Sequence, residues 1–218
     1  MTYYHYVSDA KVNMLYPEIP KSFLKKIAPE IRILLGALGL NLKERQDPLQ
    51  TEETKRYDRL LAVVKFIEED ESVGTIDNPK DYFKGTLSMH HAILKERVAL
   101  FGGKTDKTFL LLSGSPHHMT HESRELKMGS PAMIDDMTWV QQLEDASKIS
   151  LTDKEAKKKF PFLRFVVDNM KGPKYNLEFL AMNIYHTKIP AKSHNYLSEE
   201  NLLLGSPIYV SLPRVRTS

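Results

Sequence analysis

The sequence predicts a mixed α/β (or α+β) fold, a single domain over residues 1–218 with one mixed central sheet and flanking helices. Three observations support this. Aromatic and β-branched runs of strand length recur along the chain, and two long segments carry apolar residues at helical spacing. No internal repeat, low-complexity linker or abrupt change of composition divides the 218 residues. Strands interspersed with helices around one core are the pattern of a sheet covered by helices.

Tyr3-Tyr4-His5-Tyr6-Val7 reads as a strand that ends at Ser8-Asp9 and delivers Ser8, Asp9 and Lys11 into a loop. Pro20-Lys21-Ser22 opens a helix with Phe23, Leu24, Ile27, Ile31, Leu34 and Leu35 on one side. Pro29 is expected to kink or split it, and Gly36 and Gly39 to end it. A short strand is expected over 40–45. Thr51-Glu52-Glu53-Thr54 resembles a capped start, followed by a helix carrying Tyr57, Leu60, Leu61, Val64 and Ile67. Asp77-Asn78-Pro79 is a turn. Segments 82–94, 98–102 and 108–113 are strand-like, with a hairpin connection at 103–106. A loop is expected over 114–130, and helices over about 131–146, 155–170 and 174–187. Ile208-Tyr209-Val210-Ser211-Leu212 is the final strand, after the break Gly205-Ser206-Pro207.

Composition narrows the function. The 41% hydrophobic and 27% charged residues exclude wholesale disorder, and the length allows roughly 70% of the unfolded surface to be buried. The most apolar run, Ile31 to Leu40, is too short for a membrane span and contains Arg32. The N-terminus lacks the basic and apolar regions of a signal peptide, so a cytoplasmic location is expected. With zero cysteines, disulfides, zinc–cysteine sites, iron–sulfur clusters and thiol nucleophiles are excluded. A net charge of +3 does not suggest a duplex-DNA binder, although a few lysines suffice for a small polyanion.

Chemistry-bearing residues are few. Gly102-Gly103-Lys104-Thr105 resembles the tail of a phosphate-binding loop, but position 98 is Val98 and the segment lies between strands, so it is a hairpin turn. Ser113-Gly114-Ser115-Pro116-His117-His118-Met119-Thr120-His121 is the most unusual stretch. A strand ending in a Gly-Ser turn offers backbone amides to phosphate oxygens, and histidine moves protons near neutral pH. A metal held by His117 and His121, with Glu122 nearby, needs a helix that Pro116 does not favour; a solvated loop with incidental histidines is the bland alternative. Ser8, Asp9 and Lys11 suit a phosphate-bearing ligand, with Asp9 orienting Lys11, or form an ordinary capped turn. Of His90-His91, at most one faces a given site. Arg56-Tyr57 offers a cation and a stacking ring, or one solvated and one core residue. Lys171-Gly172-Pro173 is a helix stop, and Lys157-Lys158-Lys159 a wet helix face. GxSxG, HExxH, GxGxxG and EF-hand patterns are absent. The residues themselves support a phosphate-type or polar-ligand site built from Ser, Lys and His.

Several segments taken together carry a resemblance. They are Tyr-Val-Ser-Asp-Ala-Lys-Val-Asn-Met-Leu (6–15), Arg56-Tyr57, Phe83-Lys84-Gly85-Thr86-Leu87, Phe101-Gly102-Gly103, Ser113 to His118, and Leu204-Gly205-Ser206-Pro207-Ile208-Tyr209-Val210. Their order and spacing resemble, over nearly the whole chain, a bacterial family frequent in actinomycetes and long labelled a domain of unknown function. That family in turn resembles a group of CRISPR-associated ring nucleases, which degrade the cyclic oligoadenylates made by type III CRISPR systems. The resemblance implies a metal-independent phosphodiesterase with no cofactor, in which the ligand's own 2′-hydroxyl attacks and leaves a 2′,3′-cyclic phosphate. It implies proton transfer by His117 or His118, phosphate contacts from Ser8, Lys11 and Ser115, and ligand contacts from Asp9, Arg56 and Tyr57. His121 falls outside the family pattern. The implied partners are a cyclic oligoadenylate and a second copy of the chain in a homodimer, with no membrane and no duplex DNA. Two alternatives stand beside this: a sensor that binds a cyclic nucleotide without cutting it, and a metal-dependent phosphodiesterase using the histidine cluster.

Overall fold

Helices lie on a mixed sheet in the computed structural model, which describes residues 3–37, 48–94, 97–120, 170, 173–189 and 200–213. The strands are β1 (Tyr4–Val7), β2 (Val73–Gly74), β3 (Tyr82–Leu94), β4 (Val98–Lys104), β5 (Thr108–Gly114), β6 (Tyr175–Ile189) and β7 (Glu200–Ser211); the α-helices are α1 (Asp9–Leu15), α2 (Lys21–Ala37) and α3 (Pro48–Asp70). Single 3-10 turns follow α1 at Tyr16–Glu18 and β5 at Pro116–His118.

The sheet closes on itself. β7 pairs with β5 in parallel; β5 with β4, β4 with β3, β3 with β6 and β6 with β7 are all antiparallel. This ring of strands is a barrel, and its inward residues form one buried cluster that includes Phe83, Met89, Phe101, Leu110, Leu112, Leu177, Phe179 and Val210. Alternation puts neighbouring residues on the outer face, where Leu180, Ile208 and Tyr209 meet the helices. α2 contributes Ile27, Ile31 and Leu35, one helical face, and α3 contributes Leu60, Val63 and Ile67. Each such fully buried side chain stabilises by roughly 1.5–3 kcal/mol through removal of apolar surface from water.

β7 also explains where a site arises. β6 occupies one edge of β7 from Glu200 to Ser211. Its other edge is shared: β5 pairs with Asn201–Gly205, and β1 pairs with Tyr209–Ser211. Between them the carboxyl ends of β5 and β1 converge on residues 206–208 of β7. Pro207, which has no N–H to give a neighbour, sits in this gap. Beyond β5 the chain turns through Pro116–His118 and runs along the far edge of β1, where Tyr6 bridges Met119 and the Thr120 N–H donates to the His5 carbonyl at 3.0 Å.

Several expectations change. Residues 174–187, expected as a helix, belong to strand β6. β6 lies between two strands and is buried on both faces over Phe179–Ala181, so its apolar residues there run on without the alternation that marks a half-exposed strand. The expected loop after Ser8 is instead helix α1, closed by the Val12 N–H bonded to the Ser8 carbonyl at 3.0 Å and anchored by buried Val12. The final strand begins at Glu200 and passes through Gly205-Ser206-Pro207. α2 runs unbroken through Pro29, which lies on its exposed side, and ends at Ala37, between Gly36 and Gly39. β2 was not anticipated. The strand expected over 40–45, the helices over 131–146 and 155–169, His121, Lys157–Lys159 and Lys171 lie outside the described residues. Among the described residues no helix is long and apolar enough to cross a membrane.

Candidate functional site

At the convergence of β1, β5 and β7, the Ser8 N–H donates to the Ile208 carbonyl at 2.9 Å, which fixes the start of α1 against the sheet. Ser8 stands at the N-cap position, yet its hydroxyl makes no capping hydrogen bond. That hydroxyl accepts from Lys11 Nζ, one turn along α1, at 3.4 Å. Ser8 is 1% exposed. Lys11 is half-buried and, among the described residues, has no carboxylate within ion-pair distance; burial pushes its ammonium pKa down to about 8. A cation held partly out of water with only a hydroxyl for company is costly unless an anion joins it.

Asp9 does not serve Lys11. Both its oxygens are taken by Arg56 of α3, Nε donating to Oδ1 at 2.7 Å and Nη2 to Oδ2 at 2.9 Å, a two-pronged pair that ties α1 to α3. Asp9 Oδ2 also lies 3.9 Å from His118 Nδ1. The His118 pKa is lowered, first by burial; Asp9 raises it, while Lys11, Arg56 and His117 lower it. The imidazole is therefore predominantly neutral at pH 7 and able to accept a proton. Its ring meets that of Tyr6 edge-on, centroids 5.8 Å apart. His117, its neighbour on the 3-10 turn, is exposed. The backbone turn is held by the His118 N–H donating to the Ser115 carbonyl at 3.2 Å, and the Ser115 side chain makes no cap hydrogen bond.

The expected residues therefore divide. Ser8, Asp9, Lys11, Arg56, Ser115 and His118 are drawn to one place from three separate segments, and His117 lies at its rim. Tyr57 turns toward the helix–sheet core: its ring stacks on Tyr4 at 5.4 Å, with the Arg56 guanidinium 5.9 Å from its centre. A cleft of about 380 Å³ adjoins the site, lined by Asp9, Asn13, Glu53, Arg56 and Arg59 among others. Arg59 there donates to Asn13 Oδ1 at 3.1 Å.

Sequence reasoning missed Tyr6. Its ring is fully buried against Phe101, 5.9 Å between centroids, and its hydroxyl reaches Gly114, where a Cβ would collide with it. Its position two residues before Ser8 on a strand is the one signal that pointed there. His91 packs with His5, Phe101 and Tyr175, while its neighbour His90 points to the opposite face of β3. Among the described residues no three histidines or carboxylates are gathered in a way that could hold a metal ion.

A family described as "Family of unknown function (DUF7019)" matches residues 2–213. No curated protein and no solved structure matches the chain.

Proposed function

The chain belongs to the DUF7019 family of unknown function, and from the site at the β1–β5–β7 convergence we propose that it cleaves a phosphodiester of cyclic oligoadenylate without a metal. The observation that carries this reading is Lys11. It is half-buried, and among the described residues it has no carboxylate partner and hydrogen-bonds to a buried serine hydroxyl alone. A phosphodiester oxygen supplies the missing counter-charge and accepts from the ammonium. Histidine within the same cluster supplies proton transfer.

The chemistry needs no external nucleophile. In RNA-type ligands a 2′-hydroxyl lies beside each phosphate. Its oxygen bonds to phosphorus while the bond from phosphorus to O5′ breaks. The 2′-hydroxyl proton passes to the neutral His118 imidazole, and the departing O5′ takes a proton from solvent water. The products are a 2′,3′-cyclic phosphate and a 5′-hydroxyl. Lys11 lowers the energy of the charge that builds on the phosphoryl oxygens. Asp9, fixed by Arg56, lies 3.9 Å from the imidazole Nδ1 and favours the protonated ring electrostatically once the proton has arrived.

The test incubates the protein with cyclic oligoadenylates, natural and 2′-O-methylated, with and without EDTA. Cleavage unaffected by chelator, ending in the cyclic phosphate and blocked by 2′-O-methylation, is the expected result. His118→Ala should slow it about 10²–10⁴-fold while His117→Ala stays near the wild-type rate. Activity lost in EDTA and restored by manganese refutes the metal-free route. Tight binding of both rings with no cutting makes the protein a sensor instead.

A further inference from the structure

We propose that the groove between α1 and α3 is an adenine-reading subsite, with Asn13 contacting the edge of the base and Arg59 its face. This rests on the phosphodiester reading above and names the groups that select the base beside the cleaved phosphate. The groove measures about 380 Å³, within the ~300–1,000 Å³ range of small-molecule pockets. It is continuous with the proposed reaction site, because Asp9 and Arg56 line it and Asp9 Oδ2 lies 3.9 Å from His118 Nδ1. Asn13 follows Asp9 by one turn on the same side of α1, roughly 6 Å along the axis, a distance that the sugar and base of one nucleotide cover.

Two cations of the groove are already paired, Arg56 with Asp9 and Lys55 with Glu52, each at 2.7 Å. Arg59 differs. Among the described residues it has no carboxylate within ion-pair distance; it donates to Asn13 Oδ1 at 3.1 Å and lies 5.9 Å from the centre of the Tyr16 ring. A guanidinium only donates, so the contact turns the amide oxygen of Asn13 toward Arg59 and leaves Nδ2 pointing away. The oxygen keeps a second lone pair. Asn13 thus presents an acceptor and a donor side by side at an exposed position, the complement of the adenine N6 amino group and N7. The flat Arg59 guanidinium, backed by an aromatic ring, gives that base a face to stack on. Asp9, Glu52 and Glu53 balance the three cations of the lining, so a neutral base suits this groove better than a second phosphate. Hypoxanthine carries a carbonyl where adenine has its amino group, and it sets that oxygen against the amide oxygen of Asn13.

Calorimetric titration compares wild type, Asn13→Ala, Arg59→Ala and Lys11→Ala with 2′-O-methylated cyclic oligoadenylate, the matching cyclic oligoinosinate and inorganic phosphate. Wild type should prefer the adenine ring by about 5–100-fold, the discrimination of one two-pronged contact to a base. Asn13→Ala should bind both rings alike and keep wild-type affinity for inorganic phosphate. Arg59→Ala should weaken both rings about 10-fold through loss of the stacking face, with phosphate binding unchanged. Both side chains are exposed, so the melting temperature of either variant should stay at the wild-type value. Equal wild-type affinity for the two rings, or a preference that survives Asn13→Ala, overturns the base-reading role. If Lys11→Ala still weakens both rings in that case, the phosphodiester reading stands without the subsite. Loss of inorganic phosphate binding in Arg59→Ala makes Arg59 a phosphate contact and overturns its stacking role. A wild-type protein that binds neither ring defeats the phosphodiester reading itself, and the subsite with it.

Discussion

Two lysine-to-acid relationships differ at the residue scale, and the difference matters. Surface pairs such as Lys26 with Glu69 at 2.6 Å are solvated and contribute little to stability. Lys11 is half-buried without such a partner among the described residues, and its ammonium is destabilised by the loss of water. The pH dependence follows from the sign of that shift. The free protein holds Lys11 charged below about pH 8 and neutral above it. Binding of a phosphodiester, whose own charge is constant over this range, is therefore expected to be flat from pH 6 to just below 8 and to weaken as pH rises further. Calorimetric titration with the 2′-O-methylated ring between pH 6 and 9.5 checks this. Lys11→Ala should bind weakly and show no such limb; a wild-type affinity that stays constant to pH 9.5 would remove Lys11 from the binding site.

The elements that carry the site are held by the barrel and not by one another alone. α1 spans only Asp9–Leu15, too short to be stable by itself, and it depends on Val12 in the helix–sheet core and on the Asp9–Arg56 pair to α3. β6 and β7 form the wall on which β1 hangs, and Phe179 of β6 and Phe83 of β3 meet edge-on inside it at 5.7 Å. Phe179→Ala should cost about 3–5 kcal/mol, the transfer loss plus the cavity left behind. Urea unfolding measures this. A loss under 1 kcal/mol would mean that the barrel interior collapses around the gap or is less tightly packed than described.

For the whole molecule, closure of the barrel depends on pairings far apart in sequence. β1 pairs with β7, and β5 lies parallel to β7 across some ninety residues of chain. The convergence of β1 and β5 on β7 leaves the cluster at the surface of a single chain, whereas a cyclic oligoadenylate with an even number of nucleotides has its own rotational symmetry. A two-fold pair of chains presents the same groups to both halves of such a ring. A homodimer with ligand near the shared axis is therefore expected. Light scattering of the free and ligand-bound protein tests it, and a strictly monomeric species in both conditions rules out this arrangement.

Local pattern determined much of this protein by itself. The 3.6-residue spacing of Ile27, Ile31 and Leu35 was enough to predict α2, and the runs 3–7, 82–94, 98–102 and 108–113 were legible as strands because each is bounded by turn residues, although β4 continues to Lys104 and β5 to Gly114. Ser8, Asp9, Lys11, His117 and His118 could be singled out because polar groups directly after strand ends have few structural uses. Local pattern failed where tertiary contacts reset its meaning. β6 is buried on both faces, so its apolar run lost the period that separates strand from helix. Asp9 was expected to orient Lys11, but α3, some forty residues away, brings Arg56 to both of its oxygens. His118 is distinguished from His117 by burial against Tyr6, which no adjacent-residue spacing encodes. Tyr6 became visible only in three dimensions, because its polar atom faces Gly114 on a strand more than a hundred residues later. Residue type and period fix which groups a short segment can offer; the closure of the barrel decides which of them meet, because that depends on pairings between segments the chain holds far apart.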